Sequence, residues 1–209
     1  MARPQSPDYD KRREAIVATA AGLFARRGFQ GASVADLAKA CQTSKSLVYH
    51  YFPSKEDILY EVMAAHLEAL VDAADDVMRS GDARGRLRAL ALAFMRLYEG
   101  AQDHHKVLLN ELDNLPSERR AEVVRKQRRI IAVVENLVEA IRPDAGAAAL
   151  PLTMLFFGMI NWTHTWFRPG GAVSAEELAD LAVDMMLNGL DSPLPLAGGA
   201  RGGPVSSDP

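Results

Sequence analysis

Residues 43 to 56 read Thr43-Ser44-Lys45-Ser46-Leu47-Val48-Tyr49-His50-Tyr51-Phe52-Pro53-Ser54-Lys55-Glu56, or TSKSLVYHYFPSKE. Hydroxyls, two lysines and three phenyl or phenol rings crowd into a segment too short to bury itself. Ser44 is placed to cap a short helix from Lys45 to about Tyr51, because a serine oxygen accepts one of the free N–H groups of a first turn. Pro53 then stops that helix and Ser54 caps another, with Glu56 and Asp57 in the first turn where the helix dipole favours anions. Upstream, Ser33-Val34-Ala35-Asp36 has the form of a capping box with aspartate in place of glutamate, opening a short helix through Ala40. The two short helices are joined by Cys41-Gln42-Thr43. Leu37, Ala38, Leu47 and Val48 are spaced to pack on one another and on Leu23 and Phe24, which describes a helix-turn-helix.

A helix of this kind in a DNA major groove turns its N-terminal residues to base edges and its flanks to phosphates. Gln42, Thr43, Ser44, Lys45 and Ser46 then face bases or phosphates, while Tyr49, His50 and Lys55 lie further along, where the backbone runs. Tyr51 and Phe52 are assigned mainly to the core.

The rest of the chain reads as helix as well. Ile16, Ala20, Leu23 and Phe24 share one face of a helix from Lys11 to Arg27, with Gly28 as its stop. Beyond Ser54 the fourth helix runs toward Met78. Further helices are expected at Leu87 to Glu99, Lys106 to Leu112, Pro116 to Ile141, Pro151 to Phe167 and Ser174 to Gly189. The alternating pattern of β-strands bounded by hairpin turns does not occur. Residues 1–9, with prolines at 4 and 7, are expected as a loose arm. Residues 191–209, rich in proline, glycine and serine, are expected as a disordered tail. Residues 10–54 form one domain and 55–190 a second.

Composition sets limits on function. The 209 residues, 48% of them hydrophobic, suffice for one domain or two small ones sharing a core. A single cysteine, Cys41, allows no internal disulfide, and no cysteine and histidine spacing suggests a metal site. A reducing, cytoplasmic setting without membrane insertion is expected. The net charge of −3 is uneven: residues 1–55 hold nine cations against four anions, net +5, which leaves −8 for the remainder. A basic end on an acidic body suits a protein that brings one end to a polyanion such as DNA. An uneven solvated surface would look the same.

The run IVATAAGLFARRGFQGASVADLAKACQTSKSLVYHYFPSKEDILY, Ile16 to Tyr60, resembles the DNA-binding domain of the TetR family of bacterial transcriptional regulators. Much of that family has glycine where this chain has Ser46, and a small apolar residue where it has Thr43. The resemblance implies an all-α protein: an N-terminal three-helix domain with a helix-turn-helix, and a six-helix C-terminal domain for ligand binding and dimerisation. It implies phosphate contacts from Ser33, Tyr49, His50 and Lys55 on double-stranded DNA with a palindromic operator. It also implies a homodimer through the last two helices, where Leu155, Met159, Trp162 and Trp166 make one apolar stripe and Leu178, Leu181, Met185 and Met186 another. Such stripes could equally be interior core.

Within the body, Asn161, His164, Thr165 and Arg168 follow i, i+3, i+4, i+7 and would share one polar face of a helix. The segment GMINWTHTWFRPGG, Gly158 to Gly171, and the LP followed by a basic helix at Leu115-Pro116, resemble a TetR subgroup that responds to acyl-CoA thioesters. That points to a small-molecule effector of acyl-CoA type, phenylacetyl-CoA for example or a fatty or steroid-derived one, and to a repressor of a catabolic operon. An acyl tunnel needs apolar walls, with Phe157 a candidate and Phe94, Phe156, Met95, Leu97 and Met154 either lining or core. CoA phosphates need cations, for which Arg125 and Arg128 stand out among Arg119, Arg120, Lys126 and Arg129. A solvated charged face is the plainer reading of that run. The alternatives are a drug-efflux repressor with an acidic, aromatic pocket and a DNA-binding protein without effector. An enzyme is not expected, since neither a nucleophile elbow nor a phosphate-binding glycine loop is present. His66 and the pair His104-His105 suggest pocket walls or caps, with no metal and no cofactor assigned.

Overall fold

Serine and aspartate caps start helices where local chemistry places them. In the computed structural model, which describes residues 7–191, Ser33 accepts from the Asp36 N–H at 3.1 Å and its own N–H donates back to the Asp36 carboxylate, completing the capping box. Ser44 and Ser54 accept from the N–H groups of Leu47 and Asp57, and Ser174 from that of Glu177. Asp82 does the same for Gly85 at 2.7 Å. The helices are α1 Pro7–Gly31, α2 Val34–Ala40, α3 Lys45–Tyr51, α4 Lys55–Val77, α5 Ala83–Gly100, α6 Gln102–Asn110, α7 Ser117–Ile141, α8 Ala149–Asn161 and α9 Ala175–Asp191. Among the described residues no strand occurs. The fold is all-α, as expected. Most of the expected arm and tail, residues 1–6 and 192–209, lies outside the described residues.

Several boundaries differ from the reading of the sequence: α5 begins at Ala83 rather than Leu87, α6 at Gln102 rather than Lys106, and α1 continues past Gly28 to Gly31. Helix α1 begins at Pro7 rather than Lys11, because proline's fixed φ suits a first turn and the Tyr9 ring packs tilted against Tyr51 with centroids 4.5 Å apart. Helix α8 ends at Asn161, not Phe167: Trp162–Thr165 tightens into a 3₁₀ turn. Three residues per turn instead of 3.6 rotates every side chain beyond Asn161 out of the expected stripe.

Helix α1 also has a break. Gly28 lies at φ 71, ψ 163, a conformation essentially reserved for glycine. The turn swings Phe29 inward, 4% exposed and 5.6 Å from Phe24. The Phe29 carbonyl then accepts from the Lys55 ammonium, which also sits 3.9 Å above the Phe29 ring. One glycine thus ties the end of α1 to the start of α4. Gly22 serves a second contact, since a Cβ there would come within 3.1 Å of the Asp103 carboxylate as α6 crosses α1.

Helices α1 to α3 enclose a small core of Ile16, Leu23, Phe24, Leu37, Val48 and Phe52. Helix α4 leaves it and runs through the larger body. Ile58, Leu59, Val62, Met63, Leu67, Leu70 and Val71 of α4 are all buried, each contributing about 1.5–3 kcal/mol relative to exposure. Helix α7 runs alongside α4 in the same direction, tied by Arg119–Asp57 at 3.6 Å, Lys126–Glu68 and Arg129–Asp75 at 2.6 Å. Helix α9 turns its acidic side to α5: Arg84 pairs with Asp191, Arg88 with Asp180 and Asp184, and Arg96 with Glu176. Exposed pairs contribute little singly. They do fix which face of α9 points inward.

Gly28→Ala is expected to cost about 1–3 kcal/mol through the forced φ alone, seen as a lower thermal midpoint. An unchanged midpoint would mean the kink is not a constraint.

Candidate DNA-reading face and effector cavity

Helix α3 carries its polar residues outward. Gln42, Ser44, Lys45, Ser46, Tyr49 and His50 are exposed and Thr43 is half-buried, while Val48 is fully buried beneath them. Gln42 holds φ 51, a left-handed backbone that is uncommon outside glycine, asparagine and aspartate and that makes the sharp turn into α3. Arg12 and Thr19 of α1 join Gln42, Thr43 and Leu47 around a concave surface of about 480 Å³ beside the recognition helix. Neither was singled out from the sequence, because only the fold brings α1 to that turn. Tyr9 supports the far end, with its ring edge-on to His50 at 6.3 Å.

Two expected phosphate contacts are already engaged. The Ser33 hydroxyl donates to Asp36 at 2.6 Å, and the same bond holds the Asp36 carboxyl below its ordinary range. Lys55 is half-buried with its ammonium on Phe29. Phosphate contact by either side chain requires exchange of these partners.

In the body, α4, α5, α6, α7 and α8 converge on a largely apolar cavity of about 280 Å³. Leu67, Leu70, Leu108 and Ile130 form buried wall, and Phe157 lies 6.5 Å from Phe94. Gln127, Ile131 and the half-exposed Met154 lie toward the surface. Asn161 is on the wall too, its Oδ1 accepting from the Tyr98 hydroxyl at 2.9 Å. Phe94, Phe156 and Met95 are core, at most 1% exposed.

The remaining expected ligand contacts scatter. His164 is half-buried in a small adjoining pocket with Tyr98 and His105, and its Nδ1 faces the Asn161 carbonyl. Thr165 and Arg168 are exposed, a consequence of the 3₁₀ turn after Asn161. Arg125 and Arg128 are exposed on α7 outside the lining. Four other cations of the same run are held in ion pairs, Arg119, Arg120, Lys126 and Arg129. Arg128, next to Gln127 and one turn before Ile131, has no carboxylate within salt-bridge distance among the described residues.

A histidine pair spans α4 and α6. His66 Nε2 lies 3.1 Å from His105 Nδ1, and the Tyr98 ring stacks on His105 at 3.7 Å. Burial is the main cause that lowers the pKa of His66 to about 4 and of His105 to about 3, so both are neutral at neutral pH. Burial likewise pushes the Tyr98 phenol up. The sequence suggested pocket wall or cap for these histidines, and His105 lines the cavity, but their pairing and the part of Tyr98 had no motif to mark them. Among the described residues no cluster of three or more His, Cys, Asp or Glu is placed to hold a metal.

The outer face of α8 and α9 is apolar. Leu155, Trp162, Trp166, Leu181 and Met185 are 51–66% exposed, Met159 and Leu178 are half-buried, and Met186 belongs to the interior. The stretch Gly146–Thr165 is long and apolar enough to cross a membrane by length and composition, yet its apolar residues divide between core and this outer face.

Comparison with known proteins follows the same division. Residues 16–62 match the family described as bacterial regulatory proteins, tetR family, and residues 80–190 match the tetracyclin repressor-like C-terminal domain. A TetR-family transcriptional regulator from Bordetella parapertussis 12822 superposes with a TM-score of 0.82 at 39% identity, covering 84% of this chain and 94% of that one. AibR, solved in complex with isovaleryl coenzyme A and operator DNA, superposes at 0.73 with 27% identity over 83% and 97%. The HTH-type transcriptional repressor KstR2 of Rhodococcus jostii is 28% identical over 191 residues, 87% of this chain and 92% of that protein.

Two measurements follow. Tyr49→Ala is expected to weaken DNA binding and to reduce the salt slope by about one phosphate contact; an unchanged slope would remove Tyr49 from the backbone contacts. For the histidine pair, folded and unfolded forms are both neutral above about pH 6.5. Below that the unfolded imidazoles take up protons that the folded ones refuse until about pH 4 and 3, so stability falls with falling pH by up to about 1.4 kcal/mol per pH unit per site. Thermal midpoints from pH 7.5 to 5 should drop more steeply for the natural chain than for the double variant His66→Gln, His105→Gln. Equal slopes would contradict the buried neutral pair.

Proposed function

Because the chain belongs to the TetR family of bacterial transcriptional regulators, we propose that it is a ligand-released repressor: a two-fold dimer grips a palindromic operator and leaves it when a small acyl-CoA thioester enters the cavity. The observation that carries this reading is the pairing of that apolar cavity with an uncommitted arginine. Acyl groups need apolar walls, and the lining contains no carboxylate, which disfavours a hydrophobic cation as effector. CoA phosphates need guanidinium groups, and Arg128 is free beside Gln127 and Ile131, with Arg125 one turn away. AibR, a relative crystallised with isovaleryl coenzyme A and operator DNA, supports the ligand class.

A cavity of about 280 Å³ with apolar walls is compatible with a short branched or single-ring acyl chain. Catabolism of such acyl thioesters is the matching regulated process.

Release follows from how the cavity is built. Helix α4 forms one wall of the cavity and begins at Lys55, capped by Ser54, directly after the recognition helix and its short linker. A ligand that binds better when α4 is displaced shifts the population toward that arrangement and changes the spacing of the two reading heads. The second copy packs on Leu155, Trp162, Trp166, Leu181 and Met185, an apolar face that two identical chains can bury against each other about a two-fold axis. A monomer in sedimentation at operator-binding concentrations would count against that arrangement.

The deciding experiment is fluorescence anisotropy of the protein on its own upstream DNA at fixed salt, with phenylacetyl-CoA, isovaleryl-CoA, their free acids and cationic drugs. Release by a thioester and not by its acid is expected. In Arg128→Ala, DNA binding should be normal and the thioester about tenfold or more weaker, as for loss of a charge-assisted contact. Release by drugs alone would replace this reading with an efflux-type one.

A further inference from the structure

The wall of the cavity is largely apolar, and one buried polar atom of its lining remains open. His105 is 2% exposed, and its Nδ1 is committed to His66, but its Nε2 is buried without a hydrogen-bond partner. Two neutral imidazoles joined by one hydrogen bond use one donor and one acceptor between them. His105 Nε2 is therefore left as an N–H lacking an acceptor or as a lone pair lacking a donor, according to the tautomer. Asn161 is half-buried on the same wall: its Oδ1 accepts from Tyr98, which leaves its amide nitrogen without a protein partner among the described residues. Both residues line the cavity, together with the buried Tyr98. Gln127, Ile131 and Met154 mark the more open end.

Buried polar groups in folded proteins are almost always hydrogen-bonded, so an unpaired buried nitrogen on the wall of an apolar site, with an amide on the same wall, points to what the ligand brings there. We propose that the effector carries a hydroxyl at the buried end of its acyl group, and that His105 Nε2 and Asn161 Nδ2 hold that oxygen. A hydroxyl both donates and accepts. It completes either tautomer of His105 and can still accept from the Asn161 amide, whereas a ketone serves only one of the two tautomers. A methyl or a bare ring edge would leave His105 Nε2 unpaired. Sites that hydrogen-bond a ligand hydroxyl reject the analogue lacking it far more strongly than apolar pockets reject an added methylene. This inference rests on the acyl-CoA reading above and specifies the acyl group within it.

His105 also connects the site to the rest of the fold. It stands on α6, which crosses α1 of the reading head near Gly22, and it bonds His66 on α4. An oxygen drawn to its Nε2 therefore acts on a side chain that touches two of the helices leading to the DNA-binding domain.

The test uses a matched pair, phenylacetyl-CoA and 4-hydroxyphenylacetyl-CoA, titrated calorimetrically into the full chain. The hydroxylated thioester should bind at least about tenfold more tightly. In His105→Phe, which keeps a ring on the stack with Tyr98, and separately in Asn161→Leu, that preference should shrink to below about threefold while phenylacetyl-CoA still binds. The two variants stand on different helices, so misfolding of one leaves the other as the readout. Equal or tighter binding of phenylacetyl-CoA by the natural chain overturns the hydroxyl assignment and leaves the acyl-CoA reading intact. A preference that survives in a folded variant overturns the role of the residue replaced. Binding of neither thioester sinks both readings together.

Discussion

Helix α4 is the constraint on which the rest of the molecule depends. It has 23 residues, about 35 Å at 1.5 Å per residue, and its large aliphatic residues from Ile58 to Val71 are buried. Its first turn belongs to the DNA-reading head, where Lys55 is held by Phe29. Its middle supplies His66, Leu67 and Leu70 to the cavity region. A helix packed along its whole length moves as a rigid body rather than bending, so a change at the cavity wall has a direct route to the head. The glycine break at Gly28 and the close crossing at Gly22 give α1 a second connection, through α6.

Charge is distributed according to the same plan. The basic run on α7 serves two purposes that the sequence alone leaves merged. Arg119, Lys126 and Arg129 bind α7 to Asp57, Glu68 and Asp75 of α4, while Arg125 and Arg128 stay in solvent. Likewise the acidic excess of the body is in part consumed by the arginines of α5 along α9. With the polar side of α9 so occupied, its other side and that of α8 are left as an apolar outer face.

Local signals were legible because they act over a few residues. Ser33, Ser44 and Ser54 cap the helices that their positions announce, since the cap needs only a β-region residue and an N–H two or three residues on. The two short helices and the exposed polar face of α3 follow from spacing alone. The effector side was far less legible. Phe157 and Asn161 reach the cavity wall, but Thr165 and Arg168 sit on the surface because α8 gives way to a 3₁₀ turn that no residue pattern marked. His66 and His105 were legible only as candidates for pocket wall or cap, and neither their pairing nor Tyr98 had any signal in the sequence.

The sequence by itself determined the all-α class, the helix-turn-helix, the family and the polarity of one basic end, because caps, periodicity and a continuous run of about 45 residues encode them within a short span of chain. Tertiary structure alone decided which arginines are free, which aromatic groups line the cavity, and that a buried histidine stands there with a nitrogen unpaired. Those properties arise where five helices from distant parts of the chain converge, and a side chain's partner across that space is fixed by packing and crossing angle, to which the order of residues along any one helix is blind.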